Sequence, residues 1–230
     1  MAAGGSRQQQ ARISIIDRIT NRGSHFRGEL KTKVKPLAEL LYGFKIGQNK
    51  KILAENRQRA EELKDNLTFT FKDIKGRKGI YRHPIFQKAV NAMWFANRRD
   101  EGPSFPEYFN PFPKQGLAIV LTAVEHLIDE WATGIRTDVQ FTTTDYRSIY
   151  EGHITALQQF EDHTQAHFIL DNILERLHNI GRFNSGAQPL AVSNTSVLRK
   201  ADLDAAIQEY QQNEETESEG ENGEKDGDDA

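Results

Sequence analysis

The chain contains no cysteine, so a disulfide framework, a thiolate nucleophile and any cysteine-ligated zinc or iron–sulfur site are excluded. Long apolar runs are equally missing. The longest, Leu117 to Leu121, is far below the ~18 residues a membrane helix needs, so no membrane role is expected. The opening stretch, Met1 to Gln10, lacks the apolar segment of a secretory signal and the Arg-rich amphipathic pattern of a transit peptide. An intracellular protein, nuclear or cytoplasmic, is the expectation. Gly-rich phosphate loops, nucleophile elbows and zinc-protease motifs are also absent, and with them the commonest sequence grounds for an enzyme. No cofactor is called for.

What the chain has in quantity is charge, and the charge is sorted. Overall, 30 basic residues face 33 acidic ones in 230. Residues 1–99, however, carry 22 Lys/Arg against 8 Asp/Glu, whereas residues 201–230 carry 1 against 12. A basic half attracts polyanions and an acidic tail attracts basic surfaces, so the asymmetry speaks about partners rather than about a reaction. Residues 1–10 are small and polar, and residues 213–230 have no large apolar side chain. Neither segment can bury enough surface to offset the entropy of ordering, so both are expected to be flexible, flanking one domain at 11–212.

Between the ends the apolar period is helical. Phe26, Leu30, Val34, Leu37, Leu41 and Phe44 recur every three or four residues. Pro36 is expected to split that segment, and Ile13, Ile16 and Ile19 to form a short helix before it. Residues 50–66 give a charged, weakly amphipathic helix, followed by a break whose Thr/Phe alternation and glycines predict a short hairpin or ordered loop near 68–81. His83-Pro84 opens the next helix, and the aromatic, proline-rich stretch at 103–113 is expected to pack as a collar.

Residues 114–133 predict a central helix buried on most sides, ended by a left-handed Gly134 with Ile135 folding back. Thr142 with Asp145 forms a variant capping box, and Phe141 can staple onto Tyr146. Two more helices come after it, and a short last one places Leu203, Ile207 and Tyr210 on one face. The predicted fold is mainly α, a single multi-helix domain around the helix at 114–133, with a disordered acidic C-terminal tail.

Several segments are long enough to carry a resemblance. HP and NAMWF within 83–95, DEGPSFPEYFNPFP at 100–113, LAIVLTAVEHLIDEWATGIRTD at 117–138, FTTTDYRSIYEGH at 141–153, ILERLHNIGRF with SGAQP at 173–189, and RGELKTKVKP at 27–36 together resemble a fungal, basidiomycete family of a domain of unknown function. The resemblance covers roughly residues 27–189 and implies a single intracellular fungal domain. It implies no activity, ligand or site residue.

Three constellations could carry function. Arg27, Lys31 and Lys35 lie four apart on a helix flank, and Lys50, Lys51, Lys75, Arg77 and Lys78 extend the basic set. A contiguous cationic surface of this kind would bind nucleic acid through its phosphates, or an acidic protein partner. His153, His163, His167 and Glu175-x-x-His178 could supply metal ligands, although a di-iron bundle needs a second Glu-x-x-His that is missing. Glu125, Asp129 and Glu130 could form an acid–base cluster, but an exposed polar flank explains them more simply.

The expectation is therefore a non-enzymatic interaction domain whose basic N-terminal surface meets an acidic protein. Nucleic-acid binding modulated by the acidic tail is the first alternative, and a metal-dependent enzyme the second.

Overall fold

A computed structural model describes residues 4–187, with side chains from residue 22 onward. They belong to the first of two units into which the chain divides, Met1–Pro189. The expected helix around Leu203 to Tyr210 and the acidic tail lie outside the described residues.

Among the described residues eight α-helices build the fold: α1 (Gly4–Tyr42), α2 (Lys50–Lys64), α3 (Pro84–Trp94), the short α4 (Glu101–Ser104) and α5 (Pro106–Phe109), α6 (Lys114–Asp129), α7 (Thr143–Thr164) and α8 (Ile169–Asn184). Among the described residues there is no β-strand, and no helix is long and apolar enough to cross a membrane. The expected mainly α class is what the structure shows. α6 is the hub, packing on α1, α2, α3 and α7, while α8 closes the far side against α3 and α7.

One local expectation is corrected. Pro36 does not divide its segment, and the separate helix expected at Ile13–Ile19 is part of the same continuous α1. Leu30, Val34, Ala38 and Tyr42 are buried on both sides of the proline, whereas Pro36 itself is exposed. Core docking thus holds the helix across the missing hydrogen bond, and the unpaired carbonyl can face water.

At 68–81 the structure takes the ordered loop, one of the two expected alternatives. The Thr/Phe alternation follows a left-handed kink at Asn66 and Leu67 and forms a tight 3-10 turn within Asp65–Thr70, with Thr68, Phe69 and Thr70 buried. Beyond it runs an ordered loop closed by one antiparallel bridge, Asp73 with Lys78. Tertiary burial of Phe69 and a hydrogen bond from Tyr42 Oη to its carbonyl oxygen (2.9 Å) hold this backbone where a lone hairpin would have nothing to pack on.

Most other helix signals appear as expected. His83 caps α3 with Pro84 in the first turn, and Thr142 Oγ1 accepts the Asp145 amide at 3.1 Å to cap α7. The Phe141 and Tyr146 rings lie 5.3 Å apart, which is the expected staple. The collar splits by depth: Phe112 is fully buried, whereas Phe105 and Tyr108 are exposed.

Candidate functional site

The flank of α1 that carries the predicted basic residues does not face open solvent. Four successive turns bind the α6–α7 connection in reverse order. Arg27 Nε donates to the Phe141 carbonyl oxygen (3.1 Å), Lys31 Nζ reaches the Val139 carbonyl and Asp138 Oδ1 (2.9 Å), Lys35 lies 3.7 Å from Asp138, and Glu39 pairs with Arg136. This antiparallel zipper arises from an i, i+4, i+8, i+12 spacing that puts one residue per turn on a single helix face.

Beneath the zipper lies Glu130, just past the end of α6, with its side chain 1% exposed. Lys31 Nζ is 2.8 Å and Lys35 Nζ 3.4 Å from its carboxylate, and His126 Nε2 is 3.8 Å away. Burial works against the Lys31 ammonium, but the contacts with Glu130 and Asp138 outweigh it and hold its pKa above the usual lysine value. For His126 burial dominates and the Lys31 charge adds to it, so the imidazole is pushed down to about 4 despite Glu130, Asp129 and Asp138.

The other side of α6 is equally paired. Glu125 Oε2 meets His153 Nε2 at 2.9 Å, Lys64 Nζ lies 2.5 Å from Asp129 Oδ1, and Tyr146 Oη donates to Asp129 Oδ2 at 3.1 Å. Burial would raise the Glu125 pKa, yet His153 and Lys64 lower it overall. The expectation of an exposed polar flank is thus corrected: Glu125 and Asp129 are half-buried, Glu130 is buried, and all three are neutralised by residues distant in sequence.

The rest of the predicted basic set stands apart. Lys50, Lys51, Lys75 and Lys78 are exposed and make no ion pair among the described residues. Arg77 is also exposed but is held against the loop, donating to Thr68 Oγ1 (2.5 Å) and the Asn66 carbonyl oxygen (3.1 Å) with its guanidinium 4.7 Å from the Phe71 ring centre. In the same loop the Gly76 amide is taken by Asp73 Oδ1 and the Lys78 amide by the Asp73 carbonyl. The candidate metal ligands do not converge: His153 is buried on Glu125, whereas His163, His167 and Glu175 are exposed. No group of three or more His, Asp or Glu that could hold a metal occurs among the described residues.

Sequence reasoning missed a lateral recess. A cleft of about 720 Å³ opens between α1, α6 and the start of α7. Ile119 and Thr122 of α6, with Phe141, Tyr146 and Tyr150, line its inner part; Arg27, Arg147 and Glu151 stand among its polar groups. The size is that of a small-ligand site, mostly apolar with few polar groups. The only advance signal was the set of aromatic residues at 141, 146 and 150 beside the capping threonine.

Fold and site together define an all-helical domain whose N-terminal helix is zipped along one flank and leaves a lateral cleft. The chain belongs to a family described as a domain of unknown function, DUF6532, whose sequence profile matches residues 3–160. That match takes in α1 through most of α7, with every residue of the zipper and the cleft, and ends before α8. No curated protein and no solved structure matches the chain.

Proposed function

We propose that this chain is a non-enzymatic interaction domain of an intracellular, fungal protein, and that it engages its partner through the cleft between α1, α6 and α7. The observation that carries the reading is the cleft itself: a recess of about 720 Å³ in which Ile119, Phe141, Tyr146 and Tyr150 come together. The expected acidic partner still finds cations there, in Arg27 and Arg147. Lys31 and Lys35 are spent on Glu130 and Asp138, so they support the fold rather than a surface. Among the described residues the lining contains no histidine or aspartate and one glutamate, which is a poor set for nucleophilic or acid–base work.

The test is saturable binding of Nile red, a neutral apolar dye, by the full chain and by Ile119→Trp, which fills the cleft from α6. One-to-one binding that is lost in a folded Ile119→Trp chain is expected. Equal binding by both would overturn the assignment of the cleft.

Polyanion binding remains the second reading, on a specific observation: Lys50, Lys51, Lys75 and Lys78 are exposed and without ion pairs among the described residues. Binding of duplex DNA across a salt series separates the two. A steep salt dependence that disappears on replacing these four lysines by glutamine would favour it, and no binding at low salt would eliminate it.

A further inference from the structure

Arg27 is the anomalous member of the zipper. Lys31, Lys35 and Arg136 each meet a carboxylate, whereas Arg27 gives its Nε to the Phe141 carbonyl oxygen and meets no carboxylate among the described residues. It is half-buried and tethered at the edge of the cleft. Arg147 also lacks an ion pair among the described residues, and Glu151 is the one carboxylate in the lining. Two guanidinium groups against one carboxylate leave the recess with a single surplus positive charge next to Ile119, Phe141, Tyr146 and Tyr150.

With Nε occupied, the outer edge of the Arg27 guanidinium keeps two nitrogens that match the two oxygens of a carboxylate. A hydrogen bond that already fixes the guanidinium reduces the ordering cost of that match. A phosphate dianion would call for more than one surplus charge, and a cation would be repelled.

We propose that the cleft binds an amphipathic carboxylic acid, its carboxylate on Arg27 and its apolar body along Ile119, Phe141, Tyr146 and Tyr150. This rests on the cleft assignment above and names the chemistry of its occupant.

The experiment is calorimetric titration of the full chain, near neutral pH and below micelle-forming concentrations, with decanoate, 1-decanol and decyltrimethylammonium. Decanoate is expected to bind at least about tenfold more tightly than the alcohol, the scale of a charge-assisted hydrogen bond, and the ammonium weakest. Arg27→Gln should abolish the preference for decanoate over decanol. Decanol or the ammonium binding as tightly as decanoate would overturn the proposal while leaving the cleft in place, and so would a preference that survives Arg27→Gln. Failure of all three probes overturns it as well, and the Nile red comparison then shows whether the cleft assignment falls with it. Because the head-group comparison uses the unaltered chain, it decides the question even where Arg27→Gln does not fold.

Discussion

The Lys31 ammonium lies 2.8 Å from a Glu130 carboxylate oxygen, and the two side chains differ in their access to water: 15% exposed for the lysine, 1% for the glutamate. The asymmetry predicts unequal costs for breaking the pair. Lys31→Met strands a buried carboxylate with Lys35 at 3.4 Å as its remaining cation, so a loss of about 3 kcal/mol is expected, the low end for a broken buried pair. Glu130→Gln should cost less, because both lysines can turn toward solvent or Asp138. Adding Glu130→Gln to Lys31→Met should recover much of the loss. Urea unfolding of the three variants checks the order, and Glu130→Gln proving the more damaging single change would refute it.

A second prediction concerns Asn56, buried at 1% exposure on the otherwise charged α2. Its Oδ1 accepts the Lys45 amide (3.0 Å), while Nδ2 donates to the carbonyl oxygens of Lys45 (2.8 Å) and Gly134 (2.9 Å). One side chain thus ties the α1–α2 loop to the turn after α6. Asn56→Asp is nearly isosteric but turns two donors into acceptors facing carbonyl oxygens. It should cost at least about 2 kcal/mol, the penalty of buried unsatisfied groups. A thermal midpoint equal to that of the unaltered chain would show that the two loops do not depend on this residue.

These two residues mark the boundary of what the sequence made legible. Local signals were readable because their causes are local: the His83-Pro84 start of α3, the Thr142 cap, the Phe141–Tyr146 staple and the buried period of α6 each lie within a few residues. The partners of Lys31, Lys35 and Asn56 are distant in sequence, and no spacing rule in a single chain announces them. The error at Pro36 had the same origin, since a local penalty was outweighed by burial of Leu30, Val34, Ala38 and Tyr42. The cleft left only the aromatic residues at 141, 146 and 150 as a trace in the sequence, because it exists where α1, α6 and α7 fail to close.

Gly134 was expected to end the central helix with Ile135 folding back; its φ is +87°, but α6 already ends at Asp129, so the glycine closes the turn beyond the helix, and Ile135 is exposed. The structure adds that a Cβ there would run into the Leu53 backbone carbonyl of α2, which is not a flexible group. Gly134→Ala therefore combines a left-handed penalty of about 1–2 kcal/mol with a displacement of α2. Gly43→Ala has a similar φ of +69° with open space around it, so it should cost only the conformational part. Comparing the two urea midpoints isolates the contact; equal losses would mean that α2 moves freely.

Acid stability should report on the buried histidines. Burial holds both His83 and His126 down to about 4, against an ordinary value of 6.5, and lowers His178 as well. Below about pH 6.5 the unfolded chain takes up protons that the folded chain refuses, so stability falls as the pH drops and goes on falling to about 4. Glu125 and Asp138, whose pKa values are also lowered, extend the loss into the carboxylate range. The raised values of Lys31, Lys64 and Tyr81 act only at alkaline pH, so these groups leave the neutral region flat.

The His126 ring faces Lys31 from α1, Glu130 after its own helix, Asp138 from the zipped connection, and the rings of Phe141 and Tyr146. Neither ring nitrogen makes a hydrogen bond, so His126→Leu removes the titration without removing a bond. The variant should lose stability less steeply between pH 6.5 and 4. Urea midpoints measured through that range decide the point, and an unchanged slope would mean that His126 gains its proton without unfolding the chain.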